Sequence, residues 1–211
     1  MKPKKVSSVC IAVLACAVAS TSAEEKGNTG SDTAFPTERV TQEMGLTAWA
    51  KIHAVASHPR CTNCHVGADN VPLWTRNPGD PPRAHGMAVN AGESRIGAEG
   101  LSCRTCHQTS KRPNQVSNAA PHTGMHWQLA PKEMQWTGKS STEICKQLRD
   151  PDRNGGRDAD GLVEHILDDM KETGFITWAF NPGGNREPAP GGLRAHLQDM
   201  ALWTAAGMPC P

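Results

Sequence analysis

Two short stretches carry the residues that could do chemistry. They read Cys61-Thr-Asn-Cys64-His65 and Cys103-Arg-Thr-Cys106-His107. In each, two thiols stand about one helical turn apart and a histidine follows the second. That order lets both sulfurs bond to the vinyl groups of one porphyrin while the adjacent imidazole turns to the iron as its proximal ligand. Two such boxes in one chain predict two covalently attached c-type haems. The competing chemistry is zinc held by four thiolates. Zinc-binding Cys pairs commonly lie about 15–20 residues apart and do not require a following His. A disulfide within each pair would leave both histidines unexplained.

The sixth ligand decides what an iron does. A protein side chain there closes the metal and suits it to electron transfer, whereas an open position permits ligand binding or catalysis. Seven further histidines are present. His58 lies three residues before Cys61, on the proximal side of its own haem, so it is assigned to the second iron. His85 follows His65 by twenty residues, on a stretch able to cross to the distal face, and is assigned to the first iron. Met134 and His165 are held in reserve. A methionine ligand would give the higher potential. His53 is placed on a solvated helix face and His196 among polar neighbours. Met87 and Met125 fall in loops, and Met44, Met170 and Met200 on apolar stripes. The tryptophans are read as packing surfaces for the haems, not as redox relays.

Composition and the first residues give these groups a setting. The chain has 211 residues, of which Leu, Ile, Val and Phe make up fewer than a fifth. That is a thin apolar supply for a core. Two macrocycles would make up the deficit, which predicts that the haem-free chain is largely unfolded. Lys2, Lys4 and Lys5 precede a short apolar run from Val9 to Ala19, with small residues at Thr21-Ser22-Ala23. This pattern reads as a signal peptide over 1–23 and a periplasmic product. Val13-Leu14-Ala15-Cys16 offers the alternative of a lipid anchor at Cys16, facing the periplasm or the outside. Without residues 1–23 the chain keeps 19 basic and 21 acidic residues, a formal charge of −2. Nothing in it points to nucleic acid, and no other stretch is apolar enough to cross a membrane. Of the six cysteines that remain, Cys145 and Cys210 lie outside the boxes, and an even remainder in an exported chain predicts a disulfide.

The elements that must position the boxes are mostly helical. Residues 24–36 read as a flexible linker and 37–211 as a single domain. Val40, Met44, Trp49, Ile52 and Val55 recur near the helical period, and that helix should end at His58-Pro59. Gly67, Pro72, Pro78, Gly79, Pro81 and Pro82 break the chain between the boxes, and a second loop runs from Gln108 to Pro131. Ser140-x-x-Glu143 predicts a capping box. Leu162, Val163, Ile166, Leu167 and Met170 form a stripe stopped by Gly174. Leu193, Leu197, Met200 and Trp203 form a last helix. No β pattern is present. The fold class is mostly α: a loop-rich dihaem cytochrome c wrapped around two covalently attached haems. The boxes look duplicated, but their flanks do not repeat.

Several runs resemble a family of small dihaem c-type cytochromes often catalogued as the isoquinoline 1-oxidoreductase subunit. They are Ser57-His58-Pro-Arg-Cys-Thr-Asn-Cys-His65, Leu129-Ala-Pro-x-x-Met134-x-Trp136-x-Gly138-Lys, Glu143-Ile-Cys145, Asp152-Arg-Asn-Gly-Gly156, Val163-Glu-His165, Arg186-Glu-Pro-Ala-Pro-Gly191 and Cys210-Pro211. The resemblance covers nearly the whole chain after the linker. It implies electron transfer alongside a partner oxidoreductase, a molybdenum-containing periplasmic hydroxylase, and draws attention to His58, His85, Met134 and His165. Gln128 stands where the family has His before Leu-Ala-Pro, so no ligand role is carried over to His126. The expected function is a periplasmic carrier of single electrons. The alternative is a small dihaem peroxidase-like enzyme with one five-coordinate haem. A gas- or redox-sensing module ranks last, because no effector domain is visible.

Overall fold

The computed structural model describes residues 39–211. The expected signal peptide, its lipid-anchor alternative at Cys16 and the linker lie outside the described residues. Helix α1 (Gln42–Ala56) starts after Val40, the first residue of the periodic run. Thr41 ends the extended chain there, and its side chain accepts the Met44 amide at 3.2 Å, satisfying one of the open N–H groups of the first turn. Ala48, Trp49, Ile52, Val55 and Ala56 form its buried face, while Val40 stays exposed before the cap. The helix stops before His58-Pro59, and Pro59 opens the short helix α2 (Pro59–Thr62).

The next long stretch has no helix beyond three single 3-10 turns, Gly86–Ala88, Cys103–Thr105 and Lys132–Met134. Among the described residues there are two isolated β-bridges, Leu73 with Ala84 and Thr109 with Thr123, and no strand. Side chains and scattered backbone bonds fix its course instead. Asn63 and Thr75 exchange two hydrogen bonds, at 2.9 and 3.0 Å, between the Asn63 amide and the Thr75 backbone. The His85 amide donates to Pro72 at 2.8 Å and the Ala91 amide to Asn70 at 2.8 Å.

Helix α3 (Ser141–Arg149) begins with the expected capping box, Ser140 and Glu143 each bonding the other's backbone. Asp150-Pro151 ends it and starts α4 (Pro151–Asn154). Helix α5 (Ala159–Glu172) closes on Thr173 in the left-handed region, so Gly174 begins α6 (Phe175–Phe180) and does not terminate α5. Buried Asp169 of α5 reaches across this corner. Its carboxylate accepts the Ile176 and Thr177 amides at 3.0 and 2.7 Å and the Thr177 hydroxyl at 2.8 Å, a cap supplied from outside the helix it serves. Helix α7 (Leu193–Ala205) runs antiparallel to α1, with Lys51 facing Asp199 at 3.3 Å and Gly45 facing Ala206. A Cβ at position 45 would collide with Ala206 and Pro209, so only glycine allows this approach.

The apolar residues are few but concentrated. Ala48, Trp49, Ile52, Met134, Ile144, Leu148, Leu162, Ile166, Met200 and Trp203 form one buried cluster shared by α1, α3, α5 and α7. The Trp49 and Trp203 rings lie 5.1 Å apart there. Trp49 donates to Ser141 Oγ at 2.8 Å and Trp203 to the Pro209 carbonyl at 2.9 Å, so neither indole N–H is stranded. Cys145 on α3 and Cys210 at the C-terminus lie at disulfide distance, Cα to Cα 5.7 Å, and tie the tail to this cluster. Side chains therefore furnish an interior of their own, where composition alone pointed to cofactors. Among the described residues no helix is long and apolar enough to cross a membrane.

Candidate functional site

The two boxes share a local geometry that their flanking sequences do not. In each, the His amide donates to the carbonyl of the first Cys, His65 to Cys61 at 3.0 Å and His107 to Cys103 at 2.9 Å. One turn of helix thus sets thiol, thiol and imidazole on a common side. In each, Nδ1 of the imidazole meets a backbone carbonyl, Met134 at 2.7 Å for His65 and Pro121 at 3.1 Å for His107. A carbonyl only accepts, so Nδ1 carries the proton and Nε2 keeps its lone pair. In each, an indole lies on the imidazole face. Trp136 stacks on His65 at 3.5 Å and 3° from parallel, and Trp127 on His107 at 4.2 Å and 18°. Stacking on the ring face leaves the Nε2 edge free.

Electrostatics point the same way. Burial pushes His65 and His107 down to about 4, so both stay neutral well below pH 7. Burial also pushes the Cys61 and Cys64 thiols up to about 12, with Cys64 adding to the first shift and Cys103 to the second. All four box cysteines are free of disulfides. Cys61, Cys64 and Cys103 pack against one apolar cluster built on Val55, Trp127, Trp178 and Ala179. The second box opens on a cleft whose lining includes His85, Val89, Leu101, Cys103, Cys106, His107, Trp127 and Leu129. Among the described residues no three His, Cys, Asp or Glu side chains converge as a metal cage would need.

The residues present fit a haem at each box: two free thiols, of which Cys61, Cys64 and Cys103 have apolar surroundings and Cys106 is exposed, a neutral imidazole in the tautomer that offers Nε2, and a carbonyl fixing its other nitrogen. Cys61, Cys64 and His65 would hold one, and Cys103, Cys106 and His107 the other.

The chain matches no family model, no curated protein and no solved structure.

Of the four sixth-ligand candidates, His85 is placed differently from expectation. His85, assigned to the first iron, lies against the second box, its ring centroid 6.1 Å from that of His107. The Leu73–Ala84 bridge and the His85–Pro72 bond fold its segment back, so sequence distance from His65 misled. His58, assigned to the second iron, is buried and caps α2, its Nδ1 accepting the Arg60 amide at 3.2 Å. An accepting Nδ1 puts the ring proton on Nε2, which is buried with no hydrogen-bond partner. Met134 is buried in the helical core, and its carbonyl serves the far side of His65 from Nε2. His165 on α5 is close enough to His65 for its charge to lower the latter's pKa.

One minor expectation is also revised. His196 is buried, not among polar neighbours, with its ring 5.5 Å from Phe180 and Nδ1 unpartnered. Burial pushes it down to about 4. Sequence reasoning missed α6, whose Trp178 lies under the Arg60 guanidinium at 5.9 Å. The run Phe-Ile-Thr-Trp-Ala-Phe was the available signal, too short to show a period. It missed altogether the carbonyls of Met134 and Pro121, since a backbone acceptor leaves no mark on residue type.

Proposed function

We propose that this chain is a periplasmic dihaem c-type cytochrome that carries single electrons to or from a partner oxidoreductase. The observation that carries the reading is the repeated constellation at the two boxes: free thiol pair, imidazole held through Nδ1 by a carbonyl, indole on the imidazole face. A bound iron porphyrin supplies one-electron chemistry between the ferric and ferrous states. The chain's residues do the rest. Cys61, Cys64, Cys103 and Cys106 anchor. His65 and His107 present Nε2 lone pairs, and the carbonyls of Met134 and Pro121 raise the basicity of those rings and fix their direction. Trp136 and Trp127 stop the rings from turning. Val55, Trp178, Ala179 and Leu129 keep water from the sites. The loop-rich segment between α2 and α3 is read as the wrapping around the cofactors. The partner docks through a small transient interface, and the resemblance of the sequence runs supports a molybdenum-containing hydroxylase in that role.

The test is production of the full chain in a host that attaches haem covalently, followed by intact mass and redox titration. Two porphyrins per chain and reversible one-electron steps are expected. A mass equal to the bare polypeptide overturns the reading. A high-spin haem that turns over hydrogen peroxide would favour the peroxidase-like alternative.

A further inference from the structure

His85 lines the cleft of the second box together with His107. Its ring centroid is 6.1 Å from that of His107, with 52° between the planes. Two imidazoles bound through Nε2 to opposite sides of one metal would have centroids roughly 6.3 Å apart, from metal–nitrogen bonds of about 2.0–2.1 Å and about 1.1 Å from each nitrogen to its ring centre. Both rings also have their other nitrogen engaged. Nδ1 of His85 donates to the Gly86 carbonyl at 2.9 Å and that of His107 to Pro121 at 3.1 Å. Each is therefore in the tautomer with a free lone pair on Nε2. Both line the same cleft as Cys103 and Cys106.

The segment that carries His85 is pinned on both sides. Before it come the Leu73–Ala84 bridge and the bond from His85 to Pro72. After it, Val89 and Ala91 are buried. Between these anchors Met87 and Ala88 take positive φ, 64° and 49°. Such backbone is strained for a residue with a side chain and persists where its surroundings impose it. Met87 also lines the cleft, but it is 78% exposed. His122 is turned to Asn114, with Nε2 at 3.5 Å from the amide nitrogen.

We infer that His85, through Nε2, is the sixth ligand of the iron held by Cys103, Cys106 and His107, which closes that iron with two histidines. This rests on the reading of the boxes as haem sites. Among the described residues the ring paired with His65 is that of Trp136, which stacks on its face.

The holoprotein tests it by electron paramagnetic resonance and paramagnetic NMR. Shifted haem methyls near Trp127 report the second site, and those near Trp136 the first. In the wild type the second site is low-spin. His85→Ala converts that site alone to high-spin and gives it carbon monoxide binding. Added imidazole restores the low-spin signal, and His85→Met keeps it while raising that haem's potential. A colourless product overturns both this inference and the function above. A two-haem His85→Ala protein whose second site stays low-spin, or whose first site changes instead, overturns this inference alone.

Discussion

His65 and Trp136 lie face to face, ring centroids 3.5 Å apart and planes 3° from parallel, and the Trp136 amide donates to the His65 carbonyl at 2.9 Å. The indole holds the imidazole by its face and by its backbone at once. Trp136→Phe keeps a stacked ring, whereas Trp136→Leu removes it. Stacking contributes about 0.5–1.5 kcal/mol beyond buried area. Urea unfolding should show Trp136→Leu weaker than Trp136→Phe by about 1 kcal/mol. Equal midpoints would mean that the ring face contributes nothing.

Asp169 caps α6 from α5. Asp169→Ala strands two amide donors at a buried corner, which costs about 2–4 kcal/mol. Asp169→Asn retains a carbonyl acceptor and should lose less than half as much. Thermal unfolding of the two variants separates a cap from mere space filling, for which the order would vanish.

The Cys145–Cys210 link closes a loop with a sequence separation of 65 residues. Loop-closure entropy gives about 4 kcal/mol for a ring of that size. Cys145→Ser/Cys210→Ser should lower the unfolding free energy by that order without changing the visible spectrum. A changed spectrum would show that the tail acts on the haem sites.

His196 makes acid stability depend on burial. Its ordinary value is 6.5 and burial pushes it down to about 4. The unfolded chain therefore takes the proton first as pH falls. The fold has this contribution in full above about pH 6.5 and loses it between there and pH 4, by at most about 1.4 kcal/mol per pH unit. In the holoprotein His65 and His107 would be held by iron and would not add to this slope. His196→Leu should flatten the fall in urea midpoint over that window. An unchanged slope would place its origin elsewhere.

A variant with all four box cysteines changed to serine carries no covalent haem. The cluster shared by α1, α3, α5 and α7 does not include the boxes, so the variant should keep most of the helical circular dichroism. Limited proteolysis should cut it between residues 66 and 130, where few backbone bonds hold the chain. This revises the expectation from composition, which has the haem-free chain largely unfolded. Loss of the helical signal would restore that view.

What the sequence determined by itself was local. Capping at Ser140 and Glu143, the stripes of α1, α5 and α7 and the geometry within each box depend on residues less than two turns apart, so spacing reveals them. The Cys145–Cys210 pairing also followed, because counting left no other partners. The tertiary structure decided which groups meet across the chain. His85 went to the second box and not the first, because the Leu73–Ala84 bridge folds its segment back. His58 became a helix cap, because Arg60 N–H takes the lone pair of Nδ1. The carbonyls of Met134 and Pro121 set the tautomers of His65 and His107, and no residue letter encodes where a backbone oxygen will point. The few apolar side chains sufficed for a core because four helices gather them in one place, a fact about position that composition averages away.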